Sequence, residues 1–208
     1  MSGTRKRIGI YGGAFNPPHL GHLAAARAAV DALGLNCLLL VPSALSPHKS
    51  EPPGTPSPEH RYNMTALMAK GISNAKPSRA EIERGGVSYT ADTLAAVREC
   101  EGDGELWLVV GADMFLSMHT WARPAEIFRL ASVAALARVD GQREELERQA
   151  DKLSRSLGAL TRIVEHEPVE VSSSGLRAAL KTGGGRELLP PGVWEYIAEH
   201  GLYRESVR

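Results

Sequence analysis

At 208 residues the chain is the length of one domain with insertions. Its 24 Lys and Arg are balanced by 24 Asp and Glu, which argues against a nucleic-acid or membrane-surface binder driven by basic charge. Hydrophobic residues make up 43%, enough for a buried core, and the longest apolar runs, such as residues 37–41, are far short of the roughly 18 residues of a membrane helix. The basic start, Met1 to Arg7, leads into no apolar stretch of secretory-signal type. Cys37 and Cys100 form no C-x-x-C pair. The expectation is a reduced, cytoplasmic protein with no nucleic-acid or membrane partner. Oligomeric state is not legible.

In chain order, residues 7–11 read as a strand that ends on Gly12 and Gly13. Residues 19–33, rich in Ala and Leu, read as a helix closed by Gly34. Residues 37–41 are a continuous apolar run stopped by Pro42, the pattern of a strand covered on both faces. Six of the 13 prolines (Pro42, Pro47, Pro52, Pro53, Pro56 and Pro58) mark residues 42–58 as a loop. Ser57 and Pro58 then form an N-cap and N1 pair opening a helix to about Lys70. Residues 78–82 are a weak strand candidate, followed by the Gly85-Gly86 turn and a helix over 91–99.

Residues 106–110 and 132–137 are strongly apolar strands and 161–164 a weaker one, with a charged helix over 142–157 between the last two. Residues 169–171 run into serines and a short helix over 175–180. A last helix over 191–200 is closed by Gly201. Strands alternating with helices predict an α/β, Rossmann-like, doubly wound and mainly parallel sheet with helices on both faces, in a single domain onto which the segment from about residue 171 packs.

The segment Gly12-Gly-Ala-Phe-Asn-Pro-Pro-His19-Leu-Gly-His22 lies at the carboxyl end of the first strand, where open α/β sheets bind ligands. Gly12 and Gly13 permit close approach of backbone to a ligand. The following helix N-terminus offers N–H groups and a positive dipole end to phosphate. His19 and His22, three residues apart, share a face of the first turn, and Gly21 leaves room between them for a phosphate. A lone histidine is most often structural. Histidines at i and i+3 also suit zinc, but no nearby Cys or further His offers a third ligand. The G-x-G-x-x-G and Walker A patterns are both absent.

This turn resembles the H-x-G-H signature of the nucleotidyltransferase superfamily, with His19, Leu20, Gly21 and His22 in register. Val171-Ser-Ser-Ser-Gly-Leu-Arg177 resembles that superfamily's second signature, a serine-rich helix start ending in Arg or Lys. Four further segments resemble the bacterial nicotinate-mononucleotide adenylyltransferases: Gly12 to His19 with Phe15, Ser46-Pro-His-Lys49, Ser88-Tyr-Thr-Ala-Asp-Thr-Leu94, and Gly111-Ala-Asp113 followed by Trp121. The C-terminal Leu189 to Ile197 and Gly201 to Arg204 also fit. The serine motif departs mildly at Val171, Ser174 and Leu176, and Arg138-Val-Asp-Gly141 stands where that family often has Arg-Pro-Gly.

The resemblance implies adenylyl transfer from ATP to nicotinate mononucleotide, with release of pyrophosphate, in NAD biosynthesis. It implies His19, His22 and Arg177 as catalytic residues, and Gly12, Gly13, Phe15, Lys49, Ser172 and Ser173 as binding ATP. Thr90, Gly111, Asp113 and Trp121 are implied as the site of nicotinate mononucleotide. Mg²⁺ is expected as cofactor, held by ATP phosphates and water with no protein ligands. Three of these have plain alternatives: Lys49 as a solvated lysine, Asp113 as a helix N-cap, and Trp121 as a core residue. Two rival functions remain at this point: another H-x-G-H transferase, such as a pantetheine-phosphate adenylyltransferase or a cytidylyltransferase, and a non-catalytic nucleotide-binding regulator.

Overall fold

The computed structural model describes residues 5–45, 52–138, 142–167 and 169–204. Six strands form one sheet in the order β3-β2-β1-β4-β5-β6, and every pairing in it is parallel. They are β1 (Arg7–Gly13), β2 (Cys37–Pro42), β3 (Ala75–Pro77), β4 (Glu105–Gly111), β5 (Ser132–Arg138) and β6 (Thr161–His166).

The helices are α1 (Leu20–Leu33), α2 (Pro58–Ala69), α3 (Ala80–Arg84), α4 (Thr90–Glu101), α5 (Ala112–Ser117), α6 (Pro124–Leu130), α7 (Arg143–Leu157), α8 (Ser173–Lys181) and α9 (Val193–Glu199). Gly34 takes φ 60° and closes α1. The Ser57 hydroxyl accepts from the His60 N–H and opens α2, with Pro58 at N1, as the sequence predicts.

Alternate residues of each strand face opposite sides of the sheet, and both sides are covered. Ile8, Ile10, Leu39, Val41, Leu106 and Leu108 pack with Leu94 of α4, Phe115 of α5 and Phe128 of α6. Leu38, Leu40, Val109 and Leu136 pack with Ala26, Ala29 and Val30 of α1 on the other face. This explains why β2 is buried at every position. A third cluster joins Met64 of α2 to Leu176 and Leu180 of α8, and to Val193 and Ile197 of α9.

One expectation is corrected. Residues 78–82 are not a strand. The edge strand lies earlier, at Ala75–Pro77, where the proline's missing N–H is harmless. Residues 80–84 are helical, with the Ser78 hydroxyl accepting from the Ala80 N–H at their start and Gly85 at φ 67° at their end. The helices α5 and α6 were not expected at all. At six and seven residues they are too short for a 3.6-residue period to show.

The chain runs outward from β1 through β2 to β3, then returns to place β4 on the other side of β1. That reversal leaves a crevice at the carboxyl ends of β1 and β4, where strand order switches.

Candidate active site

A cavity of about 380 Å³ opens at this crevice. One wall is Tyr11 of β1 with His19, Gly21 and His22 of the first turn of α1. Ser172 and Ser173 close it from the start of α8, and Gly111 and Asp113 from the end of β4 and the start of α5. Leu136, Gln142 and His166, from β5, the entry to α7 and β6, form the remaining wall.

The two histidines are locked by a reciprocal cap. The His22 N–H donates to Nδ1 of His19 at 3.3 Å, and the His19 N–H donates to Nδ1 of His22 at 3.2 Å. These bonds satisfy N–H groups at the open end of α1. They also fix the tautomer: with Nδ1 an acceptor in each ring, a neutral ring carries its proton on Nε2. The rings stack with centroids 3.7 Å apart. Burial lowers the pKa of His19 to about 4. Burial first, and the neighbouring His19 second, holds His22 well below the ordinary imidazole range. Both rings are therefore uncharged at neutral pH and serve as Nε2–H donors.

The serine motif meets this pair directly. Nε2 of His19 lies 3.2 Å from the Ser173 hydroxyl, across 154 positions of sequence. Ser172 is the N-cap of α8, its hydroxyl accepting from the Gly175 N–H at 3.1 Å. Gly21 lies at this close approach. A Cβ there would stand 3.0 Å from Cγ1 of Val171 and 3.1 Å from Nδ1 of His19. The space between the two histidines that the sequence suggested is thus narrowed by Val171 and the approach of α8.

The remaining predicted residues separate into those on the cavity and those behind it. Gly111 and Asp113 line it, and Asp113 is exposed in the first turn of α5, whose N-cap is Gly111. The N-cap alternative for Asp113 is thereby excluded. Phe15 is only 1% exposed. Its ring packs edge-on against Tyr11 at 5.7 Å and tilted against His22 at 5.1 Å, so it touches the site through His22. Gly12 and Gly13 end β1 next to β2. Arg177 lies one turn along α8 and donates to the Asn16 carbonyl at 2.9 Å. Thr90 is the first residue of α4 and half-buried. Trp121 is buried in the core cluster under α4, α5 and α6. Lys49 and residues 139–141 lie outside the described residues.

The structure adds supports that sequence reasoning missed. The Arg61 side chain, 1% exposed, donates to the carbonyls of Ala14, Ala44 and Pro56. It ties the glycine turn of β1 to the segments after β2 and before α2. Tyr203, near the C-terminus, donates its hydroxyl to Oδ1 of Asn16 at 2.7 Å. Glu81 is buried, with Oε1 accepting from the Thr93 hydroxyl at 2.7 Å, and burial raises its pKa. A lone arginine on a helix, or a tyrosine ten-odd positions after a helix start, carries no local sign of such contacts. The signals in the sequence were Asn16, inside the first motif, and Tyr203, inside the matching Gly201 to Arg204 segment.

The cytidylyltransferase-like family model matches residues 10–179. A Thermus thermophilus protein named "Probable nicotinate-nucleotide adenylyltransferase" is 38% identical over 199 residues, covering 95% of this chain and all of that one. A Gemmatimonas aurantiaca protein of the same name is 35% identical over 203 residues, covering 97% and 94%. Among solved structures, Plasmodium falciparum nicotinic acid mononucleotide adenylyltransferase complexed with NaAD superposes with a TM-score of 0.78 at 18% identity, covering 98% of this chain and all of that one. At that identity the likeness is one of fold.

Proposed function

The chain belongs to the cytidylyltransferase-like family and, within it, to the nicotinate-nucleotide adenylyltransferases, and from that membership we propose how its residues divide the work. The enzyme transfers the adenylyl group of ATP to nicotinate mononucleotide, giving nicotinate adenine dinucleotide and pyrophosphate, in NAD biosynthesis. The mononucleotide's phosphate oxygen attacks the α-phosphorus of ATP. A new P–O bond forms as the bond to the bridging oxygen breaks, and pyrophosphate leaves with the electron pair. The attacking group is already an anion, so no protein nucleophile is required, and positioning and charge stabilisation carry the catalysis.

The observation that carries this assignment is the 3.2 Å approach of Nε2 of His19 to the Ser173 hydroxyl, which unites two phosphate-type helix starts on one cavity. His19 and His22 donate from Nε2 to the triphosphate and its transition state. Ser172, Ser173 and Arg177 take the outgoing pyrophosphate, Arg177 by turning from the Asn16 carbonyl. Lys49 is assigned to the phosphates as well. Gly12 and Gly13 let the phosphates approach β1, and Phe15 acts by bracing His22. Asp113 and Gly111 bind a ribose at the end of β4, a carboxylate accepting from two hydroxyls. Thr90 and Trp121 are assigned to the nicotinate end.

Among the described residues no group of three or more His, Cys, Asp or Glu could hold a metal ion. Mg²⁺ is assigned to the ATP phosphates, held by phosphate oxygens and water. The whole chain is read as one domain, supported by the packing of α8 and α9 on α2. Among the described residues no helix is long and apolar enough to cross a membrane, and a cytoplasmic location is proposed.

The test is product formation followed by chromatography, with ATP, Mg²⁺ and either nicotinate mononucleotide or its amide. A carboxylate presents only acceptors, so an acceptor pocket lined by hydroxyls and N–H groups favours the acid by about 5- to 150-fold in kcat/KM. Turnover with phosphopantetheine or a cytidyl donor but not with nicotinate mononucleotide would overturn the assignment. Equal kcat/KM for acid and amide would remove Thr90 and its neighbours as the acceptor pocket.

A further inference from the structure

The turn that opens α4 with Thr90 is weakly specified by its own residues. Tyr89, its N-cap, makes no side-chain cap bond. The connection from α3 passes through Gly85 and Gly86, both at φ 67°, and glycine leaves the unfolded chain its greatest freedom. At five residues α3 is little more than one turn. The position of this turn is therefore set by tertiary contacts.

Glu81 of α3 supplies them. Its buried Oε1 accepts from the Thr93 hydroxyl, one turn into α4, at 2.7 Å, and the Ser88 hydroxyl is a second donor to its carboxylate. Arg84, at the end of α3, donates to the same Thr93 oxygen at 3.1 Å. The single Thr93 proton then goes to Glu81 at 2.7 Å in preference to the Tyr89 carbonyl at 3.4 Å. Ser88 is fixed from its other side: its oxygen accepts from the Ala44 N–H at 3.0 Å, and its N–H donates to the Leu45 carbonyl at 2.9 Å. Burial raises the Glu81 pKa, and the Thr93 and Ser88 bonds, followed by the charges of Arg84 and Arg61, act against that. A buried network bonded in this way fixes geometry, because other arrangements leave a member unpaired.

We propose that Glu81 is a positioning residue for the acceptor: by holding Ser88 and Thr93 it sets where Ser88-Tyr89-Thr90 stands at the nicotinate mononucleotide end, acting through these two hydroxyls and not on the substrate. The inference rests on the assignment of Thr90 to that end. The groups assigned to the triphosphate sit on α1 and α8 and are joined to each other by the bond between His19 and Ser173, so loosening α4 should leave them in place.

The experiment measures KM for nicotinate mononucleotide and for MgATP, each with the other saturating, on the full chain and on Glu81→Met, Thr93→Val, Glu81→Gln and Thr90→Ala. Glu81→Met keeps the size of the side chain and removes its acceptor oxygens. It should raise KM for the mononucleotide about tenfold or more and leave KM for MgATP within about twofold. Thr93→Val deletes the same bond from its other end and should give the same split, which decides the matter if Glu81→Met does not fold. The two changes together should cost about as much as the larger alone, because they break one bond. Glu81→Gln keeps an oxygen for Thr93 and offers its amide to the Ser88 oxygen, so its KM for the mononucleotide should stay within about threefold of wild type. An unchanged mononucleotide KM in Glu81→Met or Thr93→Val overturns the proposal, as does equal weakening of both substrates, the result of a merely structural role. A Glu81→Gln protein as impaired as Glu81→Met also overturns it. In each of these cases a raised mononucleotide KM in Thr90→Ala keeps the acceptor assignment standing. An unchanged one overturns that assignment and the proposal with it.

Discussion

His19 and His22 hold each other: each Nδ1 accepts the other's backbone N–H, and the rings stack at 3.7 Å. The cap of α1 and the donors proposed to meet the triphosphate are thus the same two side chains. A change in their protonation acts on fold and function together.

The pH dependence of stability follows from this. His19 titrates near 4 in the folded protein against an ordinary value of 6.5. Between those values the unfolded chain binds the extra proton, so the native state is fully favoured above about 6.5 and loses stability as pH falls toward about 4. Protonation also removes the Nδ1 acceptor that caps α1. Thermal midpoints of the wild type should fall more steeply between pH 6.5 and 4 than those of His19→Asn, whose amide oxygen caps without titrating. Parallel curves would show that His19 does not carry this dependence.

Replacing His22 by Ala should lower kcat on the order of 10²–10³-fold, the loss of one donor to developing transition-state charge. The cost to stability should be about 1 kcal/mol, because the His19 cap at the other end of the pair remains. Steady-state kinetics with parallel thermal melts check both numbers. Near-normal turnover would leave His22 a purely structural residue.

Gly21→Ala tests the closeness of α1 and α8. The new methyl would meet Val171 and the His19 ring at 3.0–3.1 Å, displacing His19 from Ser173. Small misplacements of positioned groups are costly in rate, so kcat/KM should fall about tenfold or more. The intrinsic preference of Ala over Gly in a helix offsets part of the strain in stability, by about 1 kcal/mol. Unchanged kcat/KM would mean the two motifs need not meet.

Tyr203→Phe deletes the 2.7 Å bond to Asn16 and leaves a buried Oδ1 without its donor. Urea unfolding should shift to a lower midpoint by about 1–3 kcal/mol with the slope preserved. A midpoint within error of the wild type would show that the C-terminal segment does not brace the first motif.

Much of the site was legible because its chemistry is local. The Gly12 to His22 turn and the Val171 to Arg177 turn each carry glycine, serine or histidine at a helix start, and a helix start binds phosphate wherever it lies. Side-chain sidedness was not legible. Phe15 and Trp121 suit ring stacking on a ligand or packing in a core equally well as residue types. Their burial, against His22 in one case and under α4 to α6 in the other, depends on neighbours distant in sequence.

The sequence by itself determined the β1-α1-β2 unit, the apolar strands 4 and 5 and the two phosphate-type turns, because periodicity and helix capping act over a few residues. The tertiary structure decided what those pieces do together. Parallel pairing of β5 with β6 carries His166 to the same wall as Gln142. The approach of α8 to α1 joins Ser173 to His19 and brings Val171 and the His19 ring within 3.0–3.1 Å of where a Cβ at position 21 would stand. Burial, which no single residue encodes, leaves both histidines uncharged at neutral pH. These are properties of packing between segments up to 154 positions apart, and no local pattern of residue types contains them.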